Sequence, residues 1–381
     1  MAPSPALTGA WQRLSGPGRL EGVDLARGLA VIGMLASHLL TLAPFDPADP
    51  GATWPDLVNG RSSILFATLA GVSIGLMTGG TRIPTGERRR DARFRIAVRA
   101  GVIWLIGVVL VCTLLPVFVI LPAYGILFLL ALPLLGLSAR ALFAIAAVVA
   151  VGMPFLQPIL SDLPLWENPY GHLLALLTGW HYPFTLWFAF LAAGMGLARL
   201  GLRSIAVCTI GALVGLGIAF VAFALSPAVG EGEVAGDYWA RVWTGHAHSS
   251  GLLEAVGSGA FAIAVICLCM LLCRTPVRWL VLPLRAVGSM PLTAYTAQLL
   301  AWAAWALVAL GTTESLLGFR ALGPFWPLTI ALVLACTAWA LTLGRGPLEW
   351  VLDTVSRIPE RERAPAPDPG RETASERRGR G

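Results

Sequence analysis

The chain has 381 residues, of which 56% are hydrophobic and 13% are charged, and its mean hydropathy is +0.75. A soluble domain usually carries about 25% charged residues, so this composition excludes an ordinary soluble protein and indicates many membrane-spanning segments. The formal net charge is +6, but its 27 basic residues are all arginines in the connectors between apolar runs. That distribution is typical of membrane topology, and no nucleic acid partner is expected.

Ten hydrophobic runs of spanning length follow one another along the chain. A helix that crosses the hydrocarbon core needs about 20 mostly apolar residues. We therefore predict an all-α, polytopic membrane bundle of about ten transmembrane helices between residues 21 and 356. Residues 1–20 are predicted to be a flexible segment and residues 357–381 a disordered tail. The predicted spans are 25–43, 62–79, 96–114, 117–136, 140–158, 183–200, 204–225, 255–273, 286–310 and 324–344.

The arginines predict the orientation of these spans. If the chain starts in the cytoplasm and crosses at each span, 24 of the 27 arginines are cytoplasmic and three, Arg61, Arg241 and Arg320, are outside. Basic residues accumulate on the cytoplasmic side of membrane proteins, so both termini are predicted to be cytoplasmic. The basic stretch 82–95 is interpreted as a cytoplasmic loop, and its contact with anionic lipid or a phosphate-bearing ligand stays an alternative.

The first predicted helix carries ionisable residues that hydrocarbon disfavours. In "EGVDLARGLAVIGMLASHLL", Asp24 lies three residues before Arg27, so the two can pair, and His38 follows Arg27 by eleven residues. Eleven residues make three turns and about 20°, or about 16 Å along the axis. Arg27 and His38 therefore lie on nearly one stripe, with the imidazole nearer the outside. A topological anchor for Arg27 and a helix–helix hydrogen bond for His38 stay alternatives.

The second predicted helix begins with polar residues at its outer end. In "DLVNGRSS", Asn59, Arg61 and Ser62 lie at a helix N-terminus, which favours an anion or a developing oxyanion. Capping alone explains Asn59 and the serine but not Arg61. Further along the helix, Gly71 and Gly75 belong to a row of small residues that allows close approach of helix backbones in lipid.

A histidine-rich segment enters the eighth predicted helix from the outside. In "GHAHSSGLLEAVGSG", His246 and His248 are two residues apart and Glu254 follows. A lone His-x-His is weak evidence for a metal, and the six cysteines lie in or at the ends of apolar runs, where thiols behave as small hydrophobes. We therefore predict no metal site and interpret His246, His248 and Glu254 as groups that hydrogen-bond a substrate.

The ninth predicted helix carries polar groups at membrane depth. In "AVGSMPLTAYTAQLL", Pro291 disturbs the backbone hydrogen bonding, and Tyr295 and Gln298 follow it. Polar side chains at this depth usually line a cavity. Tyr295 and Gln298 are therefore candidate substrate-binding residues.

Three of these stretches together resemble the transmembrane acyltransferase superfamily. "GVDLARGLAVIGMLASH" is similar to the first-helix motif of that superfamily, and "NGRSSILFATLAGVSIGL" resembles the second helix of proteins similar to heparan-alpha-glucosaminide N-acetyltransferase. "AVGSMPLTAYTAQLL" is similar to the C-terminal block of the bacterial YeiB-like membrane proteins. The resemblance implies a cytoplasmic acyl-CoA, such as acetyl-CoA, as co-substrate and no permanently bound cofactor. It also implies functional positions at Arg27 and His38.

The resulting hypothesis is an acyltransferase of the bacterial plasma membrane that modifies an extracytoplasmic acceptor. His38 would act as general base and Arg61 would stabilise the oxyanion, while Asp24 and Arg27 would hold the acyl-CoA donor. The acceptor, an envelope sugar with a hydroxyl or amine group, would lie near His246, His248 and Glu254. Direct transfer, an acyl-histidine intermediate and association into a homodimer are all left open.

Two other classes of function are compatible with the same residues. In a small-molecule transporter or flippase, the polar stripe would be a permeation path and no covalent bond would form. A membrane assembly factor without chemistry would leave Arg27 and His38 on one stripe unexplained.

Overall fold

The computed structural model describes residues 9, 14–16, 18–46, 48–226 and 237–357. Helices make up 77% of the structure, and the described residues contain no strand. This confirms the predicted all-α polytopic bundle. Most of the predicted flexible segment 1–20 and of the predicted tail 357–381 lies outside the described residues.

Eighteen α-helices of four or more residues occur in the described ranges from residue 18 onwards. In chain order they are α1 (Glu21–Leu39), α2 (Pro50–Thr53), α3 (Pro55–Val58), α4 (Arg61–Met77), α5 (Gly86–Val111), α6 (Leu121–Leu130), α7 (Ala139–Ser161), α8 (Pro169–Thr178), α9 (Phe184–Leu200), α10 (Ile205–Leu225), α11 (Tyr238–Trp243), α12 (Leu252–Leu272), α13 (Val277–Leu280), α14 (Leu282–Ser289), α15 (Pro291–Leu310), α16 (Leu316–Ala321), α17 (Phe325–Thr342) and α18 (Pro347–Ser356). Short 3₁₀ helices, Leu132–Gly136 and Pro164–Glu167, follow α6 and α7.

Seven of these helices are long and apolar enough to cross a membrane, counted over the described part of the chain: α1, α5, α7, α10, α12, α15 and α17. The pair α2–α3 with α4, bent by 44°, qualifies as an eighth span. The apolar helices α6 and α9, with 10 and 17 residues, are shorter. Each of the ten predicted spans thus contains a helix, whereas the count of ten crossings stays a prediction.

Three predicted boundaries differ from the structure. Helix α5 begins at Gly86, so most of the basic stretch 82–95 is helical rather than a loop. The predicted span 117–136 contains only the ten-residue α6 followed by a 3₁₀ turn. The predicted helix 286–310 is interrupted at Met290, because Pro291 lacks a backbone N–H and starts a new helix, α15.

Glycines allow two close helix crossings that build the centre of the bundle. A Cβ on Gly288 of α14 would lie 1.7 Å from the carbonyl oxygen of Asp24 in α1. Likewise, a Cβ on Gly71 of α4 would lie 2.0 Å from the carbonyl oxygen of Leu191 in α9. Such contacts require the absence of a side chain, and they are typical of helix packing in lipid. The small-residue row predicted in the second helix therefore serves helix packing.

A non-helical segment, residues 112–120, connects α5 to α6 within the bundle. Val119 and Ile120 are buried. The Tyr182 hydroxyl donates to the Phe118 carbonyl at 3.1 Å, and the Ile120 N–H donates to the Tyr295 hydroxyl at 3.3 Å. Irregular backbone at membrane depth is tolerated where protein groups satisfy it. We call the end of the bundle that holds Arg27 the arginine end, and the opposite end, which holds His38, the histidine end.

Candidate functional site

A cavity of about 300 Å³ opens inside the bundle at the arginine end. Its polar lining comes from six separate helices: Arg27 of α1, Ser73 of α4, Arg99 of α5, Tyr124 of α6, Ser289 of α14 and Glu349 of α18. Its remaining wall is mainly apolar and comes from α4, α5, α6 and α15. We call this space the donor cavity, after the acyl donor that Arg27 is expected from the sequence to hold. It combines two cationic side chains with an apolar interior, and no single stretch of sequence supplies it.

Arg27 is held in the wall of the donor cavity by two polar contacts. Its guanidinium donates to Asp24 Oδ1 at 3.1 Å and to Ser73 Oγ at 2.6 Å. Asp24 also pairs with Arg19 at 2.5 Å, and the Asp24 side chain is only 5% exposed. The predicted pairing of Asp24 with Arg27 is therefore present, and the carboxylate neutralises part of a two-arginine cluster. Arg27 keeps 19% of its side chain exposed, which leaves it accessible from the cavity.

A second cavity of about 390 Å³ adjoins the donor cavity and shares Arg99, Ser289 and Glu349 with it. Arg19 and Arg345 add two more guanidinium groups to its lining. Four arginines thus surround the two connected spaces at the arginine end. This concentration of donors suits a ligand with several phosphate groups.

Helix α18 lies across these cavities and is tied down by two carboxylates. Glu349 accepts from the backbone N–H groups of Leu292 and Thr293 at 2.7 and 3.1 Å, which caps the start of α15. Asp353 accepts from Arg99 at 3.0 Å and from Arg345 at 2.6 Å. The position of Arg99 in the cavity wall therefore depends on α18.

The deep part of the donor cavity is apolar except for one tyrosine. Phe66, Leu69, Ile103 and Leu121 line it together with Tyr124. Tyr124 is 3% exposed, and its hydroxyl has no hydrogen-bond partner. The centre of the Phe66 ring lies 5.4 Å from that of the Tyr124 ring and 6.5 Å from that of the Tyr295 ring. This aromatic group closes the cavity towards the histidine end.

His38 lies beyond that closure, near the other end of α1. Its backbone carbonyl accepts from Arg320 Nε at 2.8 Å, and its ring lies 6.4 Å from the ring of Trp302. His38 does not line the donor cavity. Arg27 and His38 therefore share a helix as predicted, but the open space beside Arg27 stops short of His38.

Helix α15 carries unpaired polar groups between the donor cavity and His38. Gln298 is 3% exposed with an unpaired Oε1, and Trp302, one turn further, is fully buried with an unpaired Nε1. Positions 295, 298 and 302 lie on one helix face. Unpaired polar atoms are rare in protein interiors and usually indicate a bound water, ligand or functional role. The predicted residues Tyr295 and Gln298 belong to this face, with Tyr295 bonded to Ile120 as described above.

The Glu254 carboxylate is hydrogen-bonded to residues of the loop that precedes α12. Its carboxylate accepts from the N–H groups of His248 and Ser250 at 2.5 and 2.6 Å, and from the Ser249 hydroxyl at 3.0 Å. These contacts hold His248 and Ser250 in left-handed backbone conformations, with φ of 64° and 61°. These contacts give Glu254 a part in shaping the loop, and its role as a substrate-binding residue stays a prediction.

The residues predicted at the start of the second helix separate in the structure. The Arg61 guanidinium donates to the Asp56 carbonyl at 2.8 Å and lies over the Phe223 ring, 4.4 Å from its centre. Ser62 is buried against Gly33 of α1, where an added Cβ would lie 2.2 Å from Ser62 Oγ. These contacts give Arg61 an anchoring position and Ser62 a packing position. They offer no support for oxyanion stabilisation by Arg61.

The outer polar residues enclose only a water-sized space. Gly60, His181, His248 and Glu254 line a pocket of about 10 Å³, which is about the room that one water molecule needs. His246 is exposed at the surface of the same loop. The backbone N–H of Asn59 donates to the Asp56 carbonyl at 3.2 Å. A preformed acceptor pocket is not assembled from these predicted residues.

His181 and Asp162 are among the groups outside the spans whose pKa values are shifted. Desolvation lowers the pKa of His181, whose ring stacks on Phe118 at 3.3 Å, and the nearby His172 lowers it further. Hydrogen bonds from Arg241, at 2.6 and 2.9 Å, lower the pKa of Asp162. His181 is therefore biased towards its neutral form at the histidine end.

Several residues of the cavities were missed from the sequence. Ser73, Glu349 and Asp353 were not among the predicted site residues, and Arg99 entered only the count of cytoplasmic arginines, although two carboxylates in an arginine-rich region were a usable signal. Tyr124 gave no signal, because it lies inside an apolar run. Among the described residues, no group of three or more His, Cys, Asp or Glu side chains is arranged to hold a metal ion.

Two family models match the chain, one over its first half and one over its second half. Residues 19–218 match the family model described as heparan-alpha-glucosaminide N-acetyltransferase, catalytic. Residues 201–358 match the model of a protein family of unknown function, DUF418, which supports the resemblance to the YeiB-like proteins. No curated protein matches the chain. The first match contains Asp24, Arg27, His38, Ser73, Arg99 and Tyr124, and the second contains Glu254, α15 and α18.

Proposed function

The chain belongs to the heparan-alpha-glucosaminide N-acetyltransferase catalytic family, whose model matches more than half of it, and we propose that it transfers an acetyl group from acetyl-CoA at the arginine end to an acceptor at the histidine end. The family supports membrane acetyltransferase activity in general. The donor, the acceptor and the catalytic histidine are the specific content of the proposal.

The observation that carries the proposal is the donor cavity with its arginine-lined entrance. Acyl-CoA combines a nucleotide that carries several phosphates with an uncharged arm that ends in an acyl thioester. Arg19, Arg99 and Arg345 offer hydrogen-bond donors to phosphates at the entrance, and Arg27 stands at the start of the apolar interior. The asymmetry of the arginines assigns this end to the cytoplasm, where acyl-CoA is made.

His38 is proposed as the general base at the other end of the path. Its imidazole would take a proton from an acceptor hydroxyl or amine while the acceptor oxygen or nitrogen attacks the thioester carbonyl, after which the CoA thiolate leaves. Imidazole is the side chain that most often serves as a general base in enzymes. The thioester end of acyl-CoA, with the acyl group still bonded to sulfur, would reach His38 along the face of α15 that carries Tyr295, Gln298 and Trp302, and the unpaired atoms of Gln298 and Trp302 support such a path.

An acceptor from the cell envelope fits the polar histidine end. His246 is exposed there and His248 is close to the same surface, so both could hydrogen-bond to a sugar. Since the pocket beside His248 has room for only about one water molecule, the acceptor site would form when the acceptor binds. The proposed location is a bacterial plasma membrane, with acetyl-CoA on one side and an envelope glycan on the other.

Radiolabelled acetyl-CoA tests this function. Purified protein in detergent is incubated with labelled acetyl-CoA and envelope glycans, and label is expected on the glycan. The His38→Ala variant should lose transfer by at least about 100-fold, since general bases contribute 10² to 10⁴. The matched control is His172→Ala, because His172 is exposed on α8 at the same end. Full transfer by folded His38→Ala protein would refute the assignment of the base.

A transporter or flippase is the second candidate, favoured by one feature. The irregular segment 112–120 separates the donor cavity from an apolar pocket of about 220 Å³ that faces the histidine end. Broken backbone between two spaces also occurs in transporters. The same assay discriminates the two functions, because a transporter would leave all label on CoA.

A further inference from the structure

The Tyr124 hydroxyl is a buried polar group with no partner, placed at the deep part of the donor cavity. Tyr124 is 3% exposed and lines the cavity, and its buried hydroxyl is not bonded to any protein group. A buried hydroxyl that is left unpaired destabilises the folded state. Tyr182 and Tyr295, the other tyrosines near it, both have hydroxyl partners in segment 112–120. Tyr124 therefore keeps a hydrogen-bond donor that the fold itself does not use.

The surroundings favour a ligand over a bound water as the partner. A buried water needs two to four polar partners. The deep lining next to Tyr124 consists of Phe66, Leu69, Ile103 and Leu121, which offer no polar side-chain atom. A ligand with one carbonyl oxygen on an otherwise apolar end would satisfy the hydroxyl and fill the apolar space.

The deep end of the cavity lies where the acyl carbonyl at the end of the donor's uncharged arm would lie. Ser73, which contacts Arg27, and Phe66, at the deep end, are seven residues apart on α4. Seven residues correspond to about 10 Å along the axis. A ligand whose phosphates stay with the arginines would extend its uncharged arm past Ser73 towards Tyr124.

We propose that Tyr124 Oη donates a hydrogen bond to the carbonyl oxygen of the acyl group when acyl-CoA occupies the donor cavity. This inference rests on the proposed function, since it assumes that the donor enters from the arginine end. It assigns the deep end of the cavity as a site for a short acyl group. Tyr124 is thus a binding residue that distinguishes acyl-CoA from free CoA.

The test compares the affinities of acetyl-CoA and free CoA for wild-type protein and for Tyr124→Phe. Loss of one hydrogen bond should weaken acetyl-CoA binding by about 3- to 10-fold and leave the affinity for free CoA unchanged. The thermal midpoint should not fall, because the variant removes an unpaired group. With an isotope-labelled acetyl carbonyl, the infrared stretch should shift to lower frequency on binding to wild type and lose that shift in Tyr124→Phe.

The matched control is Tyr182→Phe, whose hydroxyl donates to the Phe118 carbonyl. It should lower the thermal midpoint and leave the preference for acetyl-CoA intact. Equal weakening of acetyl-CoA and free CoA by Tyr124→Phe would overturn the inference, as would unchanged binding with an unchanged infrared shift. If wild type binds neither ligand, the proposed function fails together with the inference. If wild type binds and transfers acetyl but Tyr124→Phe behaves identically, only the inference fails.

Discussion

Replacing Arg27 with alanine tests the donor cavity most directly. The substitution removes a guanidinium that contacts Asp24 at 3.1 Å and Ser73 at 2.6 Å from the cavity wall. Asp24 retains its ion pair with Arg19 at 2.5 Å, so no buried carboxylate is left without a partner. The folded state should therefore survive, with a stability loss of about 1–3 kcal/mol.

The effect on the donor is expected to be larger in affinity than in stability. A hydrogen bond from a charged group contributes about 1.5–3 kcal/mol, which corresponds to about 10- to 150-fold in affinity. Arg27→Ala should therefore bind acetyl-CoA and free CoA equally poorly, since Arg27 is expected to hold the part that both ligands share. Arg27→Lys keeps the charge but loses the planar fork of donors, and its affinity should be intermediate.

Equilibrium binding of radiolabelled acetyl-CoA to protein in detergent measures these differences. Arg140→Ala is the matched control, because Arg140 is exposed at the same end and lines neither of the two cavities described there. It should bind as wild type does. Wild-type affinity in folded Arg27→Ala protein would refute the assignment of the cavity to the donor. An equal loss of affinity in Arg140→Ala would show that the effect of Arg27 comes from the general positive charge of this end and not from a contact in the cavity.

Two further predictions concern the framework of the site. Gly288→Ala should abolish folding into the native bundle, because its Cβ would lie 1.7 Å from the Asp24 carbonyl oxygen. The control Gly217→Ala, whose Cβ would have no atom within 4 Å, should be neutral or stabilising. Thermal unfolding in detergent compares the two variants, and a stable Gly288→Ala protein would contradict the close crossing of α1 and α14. The pKa of Asp162 is lowered by Arg241, so the stability from this exposed pair is present above the ordinary carboxyl pKa and is lost as the pH falls through the lowered value. Unfolding measured across acidic pH should show a small loss there that Asp162→Asn abolishes, and identical profiles would show that the pair is without effect.

The helices that sequence predicts best are those with a long apolar run of their own. Helix α12, at Leu252–Leu272, agrees with the predicted 255–273 because it consists of one long and mostly apolar run. Helix α6 was predicted too long, because residues 112–120 are equally apolar but unwound. Hydropathy reports the medium around a segment and does not report its backbone conformation, which here depends on Tyr182 and Tyr295 from distant helices.

The candidate site was predictable where its parts lie on one helix. The three-residue spacing of Asp24 and Arg27 follows from helical geometry, and the pair is present. The grouping of Arg61 and Glu254 with the substrate stays a prediction, because a local pattern does not show which way a side chain is directed. Phe223 and the backbone of the loop at 248–250 engage them instead.

From the sequence alone follow the membrane class, the all-α architecture, the arginine asymmetry and the stripe that joins Asp24, Arg27 and His38. These properties depend on composition and on helical period, which are local. The donor cavity depends on tertiary structure, because Arg27, Tyr124 and Glu349 come from distant parts of the chain and meet only when the helices pack. Tertiary structure likewise decides which tyrosine hydroxyl stays unpaired, since the sequence does not show the hydrogen-bond partners of a tyrosine.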